Sequence, residues 1–191
     1  MKVIYCMYKI LLITIILISC KPVSDKEKPG DAAKAKLEKL KALQQSDPFT
    51  FSSYCNERFS YCVGYPVFFM FPLRETANAD GRIFTDKNGN EILRVFGKMI
   101  PERNNKLLPL EELYNSNLQE IGTANTLNEV VITEKRLGLD YYIISGYTKT
   151  RIFHQKTIVK NLAIAYVILQ YDKADKAVYD KLAGKILNSF N

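Results

Sequence analysis

Between residues 129 and 171 the chain passes through four strand-like runs with almost nothing between them. The runs cover 129–136, 141–147, 151–159 and 162–171, and all are rich in β-branched and aromatic residues. Their links are Leu137-Gly138-Leu139-Asp140, Thr148-Lys149-Thr150 and Lys160-Asn161. A parallel pair needs a crossover of a dozen or more residues, so links this short join only antiparallel neighbours. This one constraint predicts an antiparallel meander as the backbone of the fold.

The flanking segments add to it. Residues 59–65 and 67–71 are aromatic and β-branched, with Pro66 between them. Residues 82–86 and 91–96 are two further strands joined by Lys87-Asn88-Gly89-Asn90, and Asn-Gly is the strongest short-range hairpin signal because both residues tolerate positive φ. Pro109 opens a predicted helix to about Ile121, with Leu110, Leu113, Tyr114, Leu118 and Ile121 on one face. Asp172 is placed to cap a last helix over 173–188, where Val178, Leu182 and Ile186 recur every four residues beside Ala177 and Phe190. Two helices with one apolar face each and a meander of strands predict an α+β fold: an antiparallel sheet of about six strands with helices packed on its faces.

Three segments are expected along the chain: 1–19 as a leader, 20–46 as a tether and short helix, and 47–191 as one globular domain. The leader carries Lys2 and Lys9 before the nine-residue apolar run 10–18. A membrane-spanning helix needs roughly 20 apolar residues, so the pattern is that of a secretory signal. Its end, Leu17-Ile18-Ser19-Cys20, resembles the lipobox of bacterial lipoproteins. The resemblance implies cleavage before Cys20, with Cys6 discarded, and lipid on the Cys20 sulfur. The protein would then be anchored by lipid in the bacterial cell envelope, facing the periplasm or the surface. Residues 21–30 are polar with two prolines and read as a flexible tether. Residues 32–45 read as a helix capped by Asp31, with a thin stripe of Leu37, Leu40 and Leu43.

Hydrophobic residues make up 47% of the 191, enough for a real core. The net charge of +7 is mild, and lysines are scattered among acids without a dense basic block. That excludes a nucleic-acid reading and is compatible with an anionic lipid surface.

Cys55 and Cys62 flank Asn56-Glu57-Arg58-Phe59-Ser60-Tyr61. A turn near Arg58 would set them opposite each other at a separation a disulfide can bridge. Two buried free thiols are an equal alternative. No metal is expected, since two cysteines without company do not complete a tetrahedral set.

Phe59-Ser60-Tyr61-Cys62-Val63-Gly64-Tyr65-Pro66, the stretch from Asn78 to Asp86 (NADGRIFTD), Asn88-Gly89, Ser145-Gly146-Tyr147 and the closing helix with Phe190 together resemble the PsbP/Mog1-like domains of exported bacterial proteins. The resemblance covers about 54–191. It implies an antiparallel sheet flanked by helices, used chiefly as a binding and assembly scaffold, with no catalytic residue or cofactor carried over. Photosystem accessory proteins and a GTPase-binding protein share this fold.

Candidate chemistry is sparse. His154 is the one histidine and shares a strand face with Ile152, Lys156 and Ile158, with no acid or nucleophile at a diagnostic spacing. Asp86-Lys87-Asn88-Gly89-Asn90 resembles the start of a calcium loop, but the sixth and twelfth positions hold Glu91 and Gly97 instead of Gly and Glu. Phe68, Phe69 and Phe71 exceed what one face of a strand can bury; they are core if both faces are covered, and a partner or ligand surface if one is open. The expected function is a non-enzymatic binding or assembly module at a membrane, with an unidentified envelope protein as partner. The alternatives are a small-ligand binder, or a hydrolase built from dispersed residues near His154.

Overall fold

The computed structural model describes residues 34, 36–39, 41, 49–123 and 129–191. The leader, Cys20 and the polar tether lie outside these residues. Chain contacts divide the molecule into Met1–Lys39 and Leu40–Asn191. In the first unit the described residues 34 and 36–39 are helical.

The body is built on a seven-stranded, wholly antiparallel sheet. Strands β1 (Phe51–Asn56) and β2 (Tyr61–Pro66) form a separate hairpin. The main sheet comprises β3 (Phe71–Pro72), β4 (Gly81–Thr85), β5 (Glu91–Met99), β8 (Val131–Leu137), β9 (Tyr141–Tyr147), β10 (Arg151–Lys160) and β11 (Ala163–Asp172). Its order is β3-β4-β5-β11-β10-β9-β8, so the meander predicted for 129–171 forms one half of it. A small hairpin, β6 (Glu102–Arg103) with β7 (Lys106–Leu107), leads into helix α1 (Leu110–Thr123). After β11 a 3-10 turn (Lys173–Asp175) passes directly into helix α2 (Lys176–Ser189).

Each helix covers one face. Leu113 of α1 is buried, and Leu110, Tyr114, Leu118 and Ile121 pack with it against Tyr142, Ile144, Ile164 and Tyr166. On the other face Tyr179, Leu182, Ala183, Ile186 and Leu187 of α2, with Phe190, pack beside Tyr61 and Val63 of the β1–β2 hairpin. They meet Phe84, Leu93, Val95, Val167, Leu169 and Tyr171. Burying a side chain of this size contributes roughly 1.5–3 kcal/mol. Lys156 reaches from β10 to donate to the carbonyls of Leu187 and Phe190 at 3.0 and 2.8 Å, satisfying orphan groups at the α2 C-terminus.

Several local expectations are corrected. Residues 67–70 do not form a strand, and of the expected run only Phe71 does, opening β3. Phe69 N and Met70 N both donate to Pro66 O, at 3.2 and 3.0 Å, and the turn they close sends Met70 into the core. Phe59 lies in the β1–β2 turn, not on β2, with its ring over Gly97. Asp172 makes no side-chain cap, and its carboxylate instead lies 3.5 Å from Arg151 Nε. Ala177 is exposed, so the buried stripe of α2 begins at Tyr179. In the β4–β5 turn only Gly89 takes positive φ, at 85°. Asp86 organises this turn, accepting from Asn88 N and Asn90 N at 2.8 Å each.

Gly81 sits where two strands meet at close quarters. A Cβ there would fall 2.0 Å from Val95 O and 2.6 Å from Phe96 Cα, both backbone atoms that cannot rotate away. Gly184 on α2 faces open space. Gly81→Ala should therefore destabilise the domain by about 2–3 kcal/mol. Gly184→Ala should stabilise it by about 0.5–1 kcal/mol through helix propensity. Urea unfolding of the two variants checks both signs.

Candidate functional site

The side chains that sequence reasoning left scattered meet at two places. The first is His154. On β10 it pairs across from Ser145 of β9 and Leu169 of β11, on the face that carries α2. Its Nδ1 lies 3.1 Å from Ser145 Oγ and its Nε2 lies 3.0 Å from Tyr171 Oη. Ser145 donates to Glu134 Oε2 at 3.0 Å, and Tyr171 donates to Asp180 Oδ1 at 2.6 Å. Asp180 pairs in turn with Lys176. A hydrogen-bonded line thus runs Glu134–Ser145–His154–Tyr171–Asp180 across four strands and into α2.

The expectation that His154 lacks company is corrected, and the reason is geometric. Thr133 forms a bulge in β8, between the pairs Ile132↔Gly146 and Glu134↔Ser145. Without that extra residue Glu134 would share the face of Ile132, towards α1; the bulge turns it to the α2 face beside Ser145. No spacing rule announces such a residue.

Proton accounting shows what the line can do. Ser145 and Tyr171 each have one proton and each gives it outward to a carboxylate. Both imidazole nitrogens therefore face lone pairs, and only a doubly protonated ring donates to both. A neutral ring keeps one bond and must take a proton back from one hydroxyl. Burial favours that neutral ring, pushing His154 below its usual range against the opposing pull of Asp180 and Glu134. Burial likewise pushes Tyr171 well up, helped by its bond to Asp180. Ser145 is only 3% exposed and is bonded on both sides, so its hydroxyl is not presented to a substrate.

The second place is a shallow groove of about 270 Å³, lined by Phe68, Phe69, Val178 and Tyr179 with Asp86, Lys87, Asn88 and Asp175. Phe68 and Phe69 are half-buried; Phe69 stacks on Phe49 with ring centroids 5.9 Å apart. Phe71 stands apart on the edge strand β3, 42% exposed. The three phenylalanines named from sequence thus divide: two line the groove and one does not. His154 is not among the residues that line it.

Cys55 and Cys62 are joined by a disulfide across a directly opposed pair, with Cα atoms 4.1 Å apart. Cys62 exchanges backbone bonds with Asn191 on its other side, at 3.0 and 3.2 Å. Among the described residues no group of three or more His, Cys, Asp or Glu is placed to hold a metal ion. Nor is any described helix long and apolar enough to cross a membrane.

No protein-family profile matches the sequence, and no curated protein matches it. Among solved structures the chain is similar to cyanobacterial PsbP (CyanoP) from Synechocystis sp. PCC 6803, with a TM-score of 0.58 and 14% identity. The match covers 75% of this chain and 92% of that one. The fold is PsbP-like. Identity this low establishes the fold alone, and function has to be argued from the sites.

The single histidine makes the relay testable without assignment. Its folded pKa lies below the unfolded 6.5. The unfolded chain then binds more protons between those two values, so the stability His154 contributes is present above pH 6.5 and is lost as pH falls towards the folded pKa. NMR titration of the imidazole should give a midpoint below 6.5. The thermal midpoint should fall as pH drops from 7 to 5, and His154→Gln should flatten that slope.

Proposed function

We propose that this protein is a bacterial envelope lipoprotein, acylated at Cys20, whose PsbP-like body is a non-enzymatic binding or assembly module at the membrane. The groove of Phe68, Phe69, Val178 and Tyr179 carries this reading. Both faces of the sheet are covered, yet Phe68, Phe69 and Val178 remain only partly buried around the buried Tyr179. Asp86 and Asp175 on the rim suit a partner segment that offers an apolar side chain next to a basic one. The leader ending at Cys20 supports the anchor, since acyl chains add about 0.8 kcal/mol of membrane binding per buried CH₂. A hydrolase centred on His154 would need an accessible nucleophile, and the occluded Ser145 hydroxyl argues against it.

Mass spectrometry of the protein from its own membranes should find a mature N-terminus at Cys20 carrying fatty acid, and Cys20→Ser should release the body from the membrane fraction. Phe68→Asp should abolish crosslinking to the envelope partner with little change in thermal midpoint. Unmodified Cys20 would refute the anchor, and crosslinks unaffected by Phe68→Asp would refute the groove.

A further inference from the structure

We infer that the end of the sheet carrying Met99, Leu139 and Leu162 is a membrane-contact surface that dips into the interface of an anionic bilayer. This rests on the envelope reading for the presence of a membrane, while the surface itself is argued from its own geometry.

The three residues lie at one end of the sheet, Met99 at the end of β5, Leu162 in the β10–β11 turn and Leu139 in the β8–β9 turn. Ile100 N donates to Leu162 O at 3.0 Å, next to the pair Ala163↔Met99. Val159 N donates to Asp140 O at 2.8 Å, which brings the β8–β9 turn beside the β10–β11 turn. Met99 is 59% exposed, Leu162 58% and Leu139 fully exposed. None of the three contributes to either core cluster.

Leu162 is held there against its own backbone preference. The two-residue β10–β11 turn, Asn161-Leu162, has φ of 49° and 66°. Such turns favour Asn-Gly, because a side chain in the left-handed region is strained. The β6–β7 hairpin makes the same kind of turn with Asn104-Asn105, at 54° and 58°, and asparagine tolerates it. A leucine at the second position, more than half exposed and outside both core clusters, gains little from folding. Strain retained where it does not serve packing is a mark of function.

The shape and charge select the occupant. These are protruding turn tips, which fit a fluid bilayer better than a preformed protein pocket. Lys98, Lys106 and Lys160 are exposed at this end and form no ion pair among the described residues, although Lys98 Nζ lies over the Tyr166 ring, Lys160 Nζ donates to Ser60 O at 3.4 Å, and Glu102 is exposed on the hairpin that carries Lys106. Lysine stems can lie along an apolar surface while their ammonium groups reach anionic headgroups, against Asp140 as the acid of the two turns.

The chain contains no tryptophan, so a single introduced one reports its own surroundings. The whole protein carrying Leu162→Trp or Leu139→Trp is reconstituted on phosphatidylglycerol–phosphatidylethanolamine vesicles and on phosphatidylcholine vesicles. Lys149→Trp, in the turn at the opposite end of the strands, is the comparison. The expected result is blue-shifted emission quenched by brominated lipid at 162 and 139, stronger on the anionic vesicles, with aqueous emission at 149. Leu162→Asp in the Leu139→Trp background should weaken insertion about tenfold. Leu162→Gly should raise the thermal midpoint while reducing insertion, the opposite of what a structural role would give. Aqueous emission at all three positions on vesicle-bound protein would overturn the proposal, because the anchor alone would then be holding the body. A blue shift that needs no vesicles and grows with protein concentration would overturn it in favour of a second copy. Mass spectrometry of the same sample reads acylation separately: an unacylated chain that still inserts refutes the anchor and keeps this surface, whereas an unacylated chain that fails to insert refutes both.

Discussion

Strand β11 sets the terms for everything around it. It pairs with β10 along its whole length and with β5 over seven residues, and seven of its ten residues are buried, on two opposite faces. Val167, Leu169 and Tyr171 point one way, and Ile164 and Tyr166 the other. A strand that is apolar on both faces cannot sit in a sheet with one wet side. It requires a cover above and below, and the chain supplies α1 for one and α2 with the β1–β2 hairpin for the other. The edge-on pair Tyr114–Tyr142, 5.4 Å between centroids, and the stacked Tyr171–Tyr179, at 5.1 Å, fix the two covers to the two faces.

Most polar groups that enter this sandwich are hydrogen-bonded in sets, the buried Tyr142 hydroxyl being an exception. Gln155 and Thr157 lie under α1, where Gln155 Nε2 donates to Asn117 Oδ1 at 2.5 Å and to Thr157 Oγ1 at 3.1 Å. Under α2 the line from Glu134 to Asp180 does the same for Ser145, His154 and Tyr171. Each buried donor left unpaired would cost about 1–3 kcal/mol, so such groups are recruited in connected sets. The sets also tie strands to helices at fixed register, which apolar contact alone does loosely.

The contrast between what the chain announces and what it conceals follows from the range of the forces involved. Link length is a local, hard constraint, and 141–147 and 151–159 emerge as strands almost residue for residue. The stripe of α1, from Leu110 to Ile121, is also local and lines its core as the periodicity requires. Residues 67–71 mislead because aromatic content reads as strand, whereas Pro66 O closing a turn on Phe69 and Met70 decides the backbone. Asp172 misleads because a free carboxylate next to a helix start reads as a cap, and Arg151, 21 residues back, takes it instead. The relay around His154 is the least legible. Its members are 9 to 17 residues apart in consecutive pairs, and its first link depends on a one-residue bulge in β8 that shows only in strand register. Phe68 and Phe69 were visible as an excess of aromatics, but separating them from Phe71 needed the turn.

With both faces of the sheet covered from within the chain, the two surfaces proposed for contact lie at the ends of the strands. A ten-residue strand separates those ends by roughly 33 Å. One end holds the β4–β5 turn, organised by Asp86, and the groove beside it; the other holds turn tips with outward leucines. The same turn chemistry is used differently at each. Gly89 takes the positive φ that its turn demands and leaves the Asp86 side free of strain. Leu162 takes one that glycine would take more easily, and an apolar side chain is projected as the result. A bilayer met at the leucine end would hold the groove about one strand length above the lipid headgroups, at the height where a membrane-bound partner's exported segments are within reach. The sheet then acts as a spacer, and its rigidity, fixed by β11, is what would keep the two ends in register.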